Sequence, residues 1–121
     1  MPSTRAALSL ASFVTPGRNV GCTLTATQVR CVIQSRVWTP PAQPSSCTGA
    51  WGDALVLGQT GYATFACGGA TTMPSATPVI PDGSDDTVGQ FTCQVRSFGV
   101  DCFNASDRRG LLVSRTGYTT Y

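Results

Sequence analysis

Gly21-Cys22-Thr23-Leu24-Thr25-Ala26-Thr27-Gln28-Val29-Arg30-Cys31 reads as a β-hairpin closed by a disulfide. With a tight loop centred on Ala26 and Thr27, antiparallel register sets Val20 opposite Ile33, Cys22 opposite Cys31 and Leu24 opposite Val29, all on one face. That face carries the apolar side chains and is the one to be buried. A disulfide needs β-carbons close together, which directly opposed residues of a non-hydrogen-bonded pair supply and a one-residue slip does not. The pattern returns in Phe91-Thr92-Cys93-Gln94-Val95-Arg96-Ser97-Phe98-Gly99-Val100-Asp101-Cys102, where a turn at Ser97 and Phe98 sets Cys93 opposite Cys102 and Val95 opposite Val100. Aligned on their cysteines, the hairpins also match Val20 with Phe91, Leu24 with Val95, Val29 with Val100 and Val32 with Phe103. An internal duplication and convergence on one hairpin pattern both account for this.

The chain of 121 residues is read as one domain, 1–121, with a modest core. Its 6 cysteines include no Cys-x-x-Cys pair, and there are 0 histidines. This argues against a zinc site or a dithiol redox motif and for three structural bridges formed in an oxidising compartment. Cys47 and Cys67 flank a candidate hairpin and form the natural third clamp, although neighbour pairing is one of about 15 connectivities. All 8 basic residues are Arg and all 6 acidic residues are Asp, for a net charge of +2. The arginines are scattered apart from Arg108-Arg109, so no basic stripe marks a nucleic-acid surface.

With 13 Gly and 8 Pro among many Ser and Thr, the composition is that of an all-β protein. Eight short strands are expected: Leu10 to Val14, Val20 to Leu24, Val29 to Ile33, Ala54 to Leu57, Tyr62 to Phe65, Gln90 to Val95, Val100 to Phe103 and Leu111 to Ser114. They are expected to form a compact antiparallel barrel or sandwich, and short twisted hairpins favour the barrel. Thr15-Pro16-Gly17-Arg18-Asn19 reads as a turn, and Thr39-Pro40-Pro41-Ala42-Gln43-Pro44 as a stiff surface connector. Gly68 to Gly89 reads as a long loop ordered around Val79-Ile80. Residues 1–12 include Ala6-Ala7-Leu8-Ser9-Leu10-Ala11, which reads as a signal remnant, an edge strand or a frayed terminus, with a fuller export signal expected upstream. No stretch is long and apolar enough to span a bilayer as a helix.

A family resemblance rests on Phe13-Val14-Thr15-Pro16-Gly17-Arg18-Asn19-Val20-Gly21-Cys22, Val29-Arg30-Cys31, Trp38-Thr39-Pro40-Pro41 and Cys47 with Trp51-Gly52. It continues in Phe65-Ala66-Cys67, the second clamped hairpin, and Gly110-Leu111-Leu112-Val113-Ser114-Arg115 with Tyr118. In these stretches, from Phe13 to Tyr118, the chain resembles a family of small exported actinobacterial proteins of unknown function, many from mycobacteria and streptomycetes. It departs from that pattern at Pro81-Asp82-Gly83-Ser84 and at Arg108-Arg109-Gly110. The resemblance implies export, to the medium or the cell envelope, and an all-β fold; it brings no catalytic residues.

Without His, Glu or Lys, a tunable acid or base has to be Asp or Tyr, and no Ser-His-Asp or Cys-His site exists. No catalytic residue, cofactor or metal is therefore expected. Asp82-Gly83-Ser84-Asp85-Asp86 echoes the alternating oxygens of a calcium loop but has Thr87 where Gly belongs and no closing Glu. It reads as a solvated acidic turn whose replacement by Gly and Ser costs less than about 1 kcal/mol. Asn104-Ala105-Ser106 fits a glycosylation sequon. The residues suited to a ligand surface are Trp38, Trp51, Tyr62, Tyr118 and Tyr121, with Arg36 or Arg115 to hold an anionic group. Their plainer role is half-buried cover for the core. The function expected is a non-catalytic exported domain that binds a cell-wall glycan or a protein partner. A secreted inhibitor presenting Gly68 to Gly89, or a passive surface protein, are the alternatives.

Overall fold

The computed structural model describes residues 7–121. The part of the signal-remnant reading that falls on residues 1–6 lies outside the described residues. Eleven strands follow one another: β1 (Ala7–Leu8), β2 (Ser12–Val14), β3 (Val20–Leu24), β4 (Gln28–Ile33), β5 (Ala54–Gly58), β6 (Thr64–Phe65), β7 (Asp85–Val88), β8 (Phe91–Arg96), β9 (Gly99–Asn104), β10 (Gly110–Ser114) and β11 (Gly117–Thr120). All eight expected strands are present. The three further ones are β1, β11 and β7, which lies inside the expected Gly68 to Gly89 loop and begins within the expected acidic turn.

The strands form two sheets, ordered β2-β3-β4-β5-β6 and β1-β7-β8-β9-β10-β11. Apart from β1, which pairs parallel to β7, each sheet is a meander of five consecutive strands in which the second and third carry the disulfide. The two halves of the chain thus share one topology. The expected register holds in both hairpins: Cys22 faces Cys31, Val20 faces Ile33, Cys93 faces Cys102 and Val95 faces Val100. The third bridge joins Cys47 to Cys67.

The preference for a barrel is overturned, since the two sheets lie face to face as a sandwich and do not close. A barrel needs its last strand hydrogen-bonded to its first. Here the outer strands β6 and β11 approach through aromatic side chains instead, with the Phe65 and Tyr118 rings 5.0 Å apart. Between the sheets lie Phe13, Leu24, Val29, Leu55 and Leu57 from one side and Phe91, Val95, Val100, Leu111 and Val113 from the other, all buried. At the centre the two hairpin disulfides touch, Cys31 Sγ lying 3.6 Å from Cys102 Sγ and Cys102 Sγ 4.0 Å from Cys22 Sγ.

The solvated acidic turn is also corrected. Only Asp82 of its acidic residues is exposed; Ser84 and Asp86 are buried, and Asp85 starts a strand. Period-two alternation turns Asp86 inward, in register with Cys93. Its Oδ1 accepts the Leu10 amide at 2.6 Å and its Oδ2 has no partner among the described residues. Gly68 to Ser84 lies back against the first sheet: Val79 bridges Val14, the Ile80 amide donates to the Val14 carbonyl at 3.0 Å, and Arg30 donates to the Gly68 and Ala70 carbonyls.

Candidate functional site

Four of the seven residues expected to suit a ligand surface meet at one edge of the sandwich. The Trp38 ring lies 4.6 Å from that of Tyr118 on β11 and 6.0 Å from that of Phe65 on β6, and Trp51 stands 5.8 Å from Phe65. Arg36 covers Trp38 at 4.9 Å. Every polar group of this cluster that could orient a ligand is committed within the chain, apart from the Tyr118 hydroxyl. The Trp38 indole donates to the Ser114 carbonyl at 2.7 Å and the Trp51 indole to the Pro41 carbonyl at 2.8 Å. Arg36 pairs with Asp53 at 3.1 Å and donates to the Trp38 carbonyl. The arrangement is that of a plug: half-buried rings cover the apolar gap where β6 and β11 approach without hydrogen bonds.

The other three, Tyr62, Arg115 and Tyr121, lie elsewhere. Tyr62, 59% exposed, sits on the β5–β6 loop beneath the Arg109 guanidinium, 3.9 Å from its ring centre. Arg115 sits on the β10–β11 turn, where its carbonyl accepts the Val37 amide and its side chain lines a small depression beside Asp82 and Phe98.

A different face brings unspent chemistry together. Along β8 and β9, Phe91, Cys93, Val95, Val100, Cys102 and Asn104 point inward, leaving Gln94, Asp101 and Phe103 on the outer side. Gln94 and Asp101 are register partners. Gly110 faces Phe103 across β10, and its missing β-carbon leaves room for the Tyr121 ring to lie over it. Paired backbone hydrogen bonds between Gly110 and Tyr121 hold that ring in place, and the Tyr121 hydroxyl donates to Asp101 Oδ1 at 2.5 Å. Burial, and then the hydrogen bond to and charge of Asp101, push the Tyr121 phenol far above its usual value, so it stays a protonated hydrogen-bond donor.

The rim of this face is the β9–β10 turn. Asn104, fully buried, accepts the Ser106 amide and a Gln90 side-chain donor and itself donates to the Gln59 carbonyl, tying the β5–β6 loop to the turn. Burial on this scale leaves its amide unavailable as a glycosylation acceptor. Within the turn Arg108 adopts the left-handed conformation, at φ 61°, and is exposed. Its guanidinium has no partner among the described residues. Together Gln94, Asp101, Phe103, Arg108 and Tyr121 line a shallow depression of about 520 Å³. Two ring faces, a side-chain amide, a carboxylate and a free guanidinium suit a polyhydroxylated ligand with an acidic group.

Tyr121 was legible in the sequence as a surface aromatic; Asp101, Phe103 and Gln94 were not singled out. The available signal was strand alternation in the second clamped hairpin, which already places all three on its outward face. Comparison with protein-family models, with curated proteins and with solved structures finds no match for this chain.

Proposed function

We propose that this protein is an exported, non-catalytic binding module that takes an acidic glycan of the cell envelope on the outer face of its six-stranded sheet. One observation carries the reading: the phenolic end of Tyr121 lies over Gly110 with its hydroxyl held by Asp101, beside Phe103 and an Arg108 guanidinium that has no partner among the described residues. Sugar rings stack on such surfaces, and preorganised rings lose little entropy on binding. Export is supported by three disulfides, which persist in oxidising compartments, and is what the family resemblance implies. The non-catalytic reading is supported by the absence of His, Glu and Lys and by the protonated state of Tyr121. The inhibitor alternative draws less support, because Gly68 to Ser84 is folded back on the first sheet instead of standing out from it.

The experiment is co-sedimentation with purified, insoluble cell-wall polysaccharide, followed by titration with soluble acidic fragments. Phe103→Ala and Arg108→Ala are expected to weaken binding about tenfold each, the loss of one stacking or charged contact. Trp51→Ala is expected to lower stability and leave the affinity of the folded fraction unchanged. Binding that survives both Phe103→Ala and Arg108→Ala, or no binding at all, overturns the proposal.

A further inference from the structure

The two hairpin disulfides do more than lie near each other. Cys22, Cys31, Cys93 and Cys102 are fully buried, two from each sheet, and their four Sγ atoms all lie within 4.8 Å of one another. We infer that, when both bridges are reduced, these four cysteines form a tetrathiolate site for a thiophilic cation such as zinc(II) or copper(I).

Zinc–sulfur bonds of about 2.3 Å put the sulfurs of a tetrahedral site about 3.8 Å apart. The cross-sheet contacts of 3.6 Å and 4.0 Å already bracket that edge. Packed sheets stand about 10 Å apart, so a cation midway lies about 5 Å from each sheet, within reach of an inward cysteine side chain and its metal bond. The sulfurs now bonded to each other have to separate, and that of Cys93, within 4.8 Å of the other sheet's pair, has to settle at the same edge length; rotation of side chains on opposed strands serves both. A second observation concerns the surroundings. Phe13, Leu55 and Leu111 stand in register with Cys22, Cys31 and Cys102, closing the cluster to water, while Asp86 stands in register with Cys93. Its Oδ2, without a partner among the described residues, is a buried acceptor next to the cluster. The absence of Cys-x-x-Cys and His conceals this arrangement in the sequence, because the ligands come as two cross-strand pairs instead of two chain-local knuckles.

The chemistry balances simply. Each disulfide is reduced to two thiols either by a dithiol, which gives up two electrons and two protons and becomes a disulfide, or by a phosphine, which gives up two electrons and becomes its oxide while water supplies the oxygen and the two protons; metal–sulfur bonds then form as the cation displaces protons from those thiols.

The full chain, reduced in denaturant with a phosphine and refolded without oxygen over zinc(II), cobalt(II) or copper(I), tests this. One zinc per chain is expected, with four thiols protected from alkylation, and cobalt(II) is expected to give the intense visible bands of tetrahedral sulfur ligation. Replacing Cys47 and Cys67 together by Ser is expected to leave metal content unchanged. Cys93→Ser is expected to abolish the four-sulfur spectrum. Copper(I) retained where zinc is not would assign the site to the monovalent cation. A reduced chain that retains neither cation overturns the inference, as does metal content lost only with Cys47 and Cys67 or a cobalt spectrum unchanged by Cys93→Ser.

Discussion

Asp86 and Gly110 show how far single residues set local behaviour. Burial raises the Asp86 carboxyl above its ordinary 3.8, while the hydrogen bond from Leu10 works in the opposite direction. With the folded value above the unfolded one, the native state keeps a proton that the unfolded chain has lost. Asp86's contribution is thus fully present below about pH 3.8 and is lost as pH rises through the folded value. Thermal melts of the oxidised protein across this window should show a falling component that is absent in Asp86→Asn; identical slopes in the two proteins would remove Asp86 as its source. At Gly110, a β-carbon would meet the Tyr121 ring and stand 2.7 Å from the Cys102 carbonyl oxygen. Gly110→Ala is expected to cost about 1–3 kcal/mol, an overpacking penalty read from urea midpoints, and to weaken glycan binding by displacing the ring. The tryptophans expected at a ligand surface illustrate the same scale. Trp38 and Trp51 have indole donors that find carbonyls inside the chain, and sequence alone does not distinguish a satisfied aromatic from an available one.

Among the elements, the clamped hairpins were legible because a disulfide fixes register as well as distance, and both pairings follow from spacing alone. Strand β7 was not legible: Pro81-Asp82-Gly83-Ser84-Asp85-Asp86 has the composition of a turn, and only sheet pairing with β8 makes its last two residues the start of a strand. Tertiary context overrides propensity most easily in short strands. The three clamps should therefore differ in their effect. Bridges of sequence separation 9 and 20 are worth about 2.5 and about 3.3 kcal/mol in the chain-entropy model. Cys22 and Cys31 are buried in the core, whereas Cys67 is exposed, so replacing the first pair by Ala adds a packing loss of about 1 kcal/mol or more. Denaturant unfolding of the two double variants should find the core clamp at least as costly as the longer one. Converting Ser84, Asp85 and Asp86 to Gly and Ser breaks β7 and the Asp85–Arg96 ion pair, and is now expected to cost well over the 1 kcal/mol or so of a surface change.

Across the whole molecule, matching positions of the two meanders meet: Cys31 touches Cys102 at the centre and Phe65 meets Tyr118 at the edge. Trp38 covers that edge, and its loss should expose the gap. Trp38→Ala is expected to destabilise by about 3–5 kcal/mol, with Tyr118→Ala adding much less in the double variant than alone because both act on one cluster. Additive losses in denaturant would show that they do not. The barrel was a misreading at this scale, since strand lengths are read locally whereas closure depends on what the outermost strands find at the end of the chain. The one exception to the two-meander plan is β1, which leaves its own half to lie beside β7, Ala7 opposite Asp85 and Leu8 opposite Asp86. For a chain delivered from its N-terminus this fixes an order in time. Strand β1 precedes the other ten strands but has no partner until β7 has followed, while the five strands between them pair without it, so β1 stays unpaired and accessible to proteases and chaperones until then.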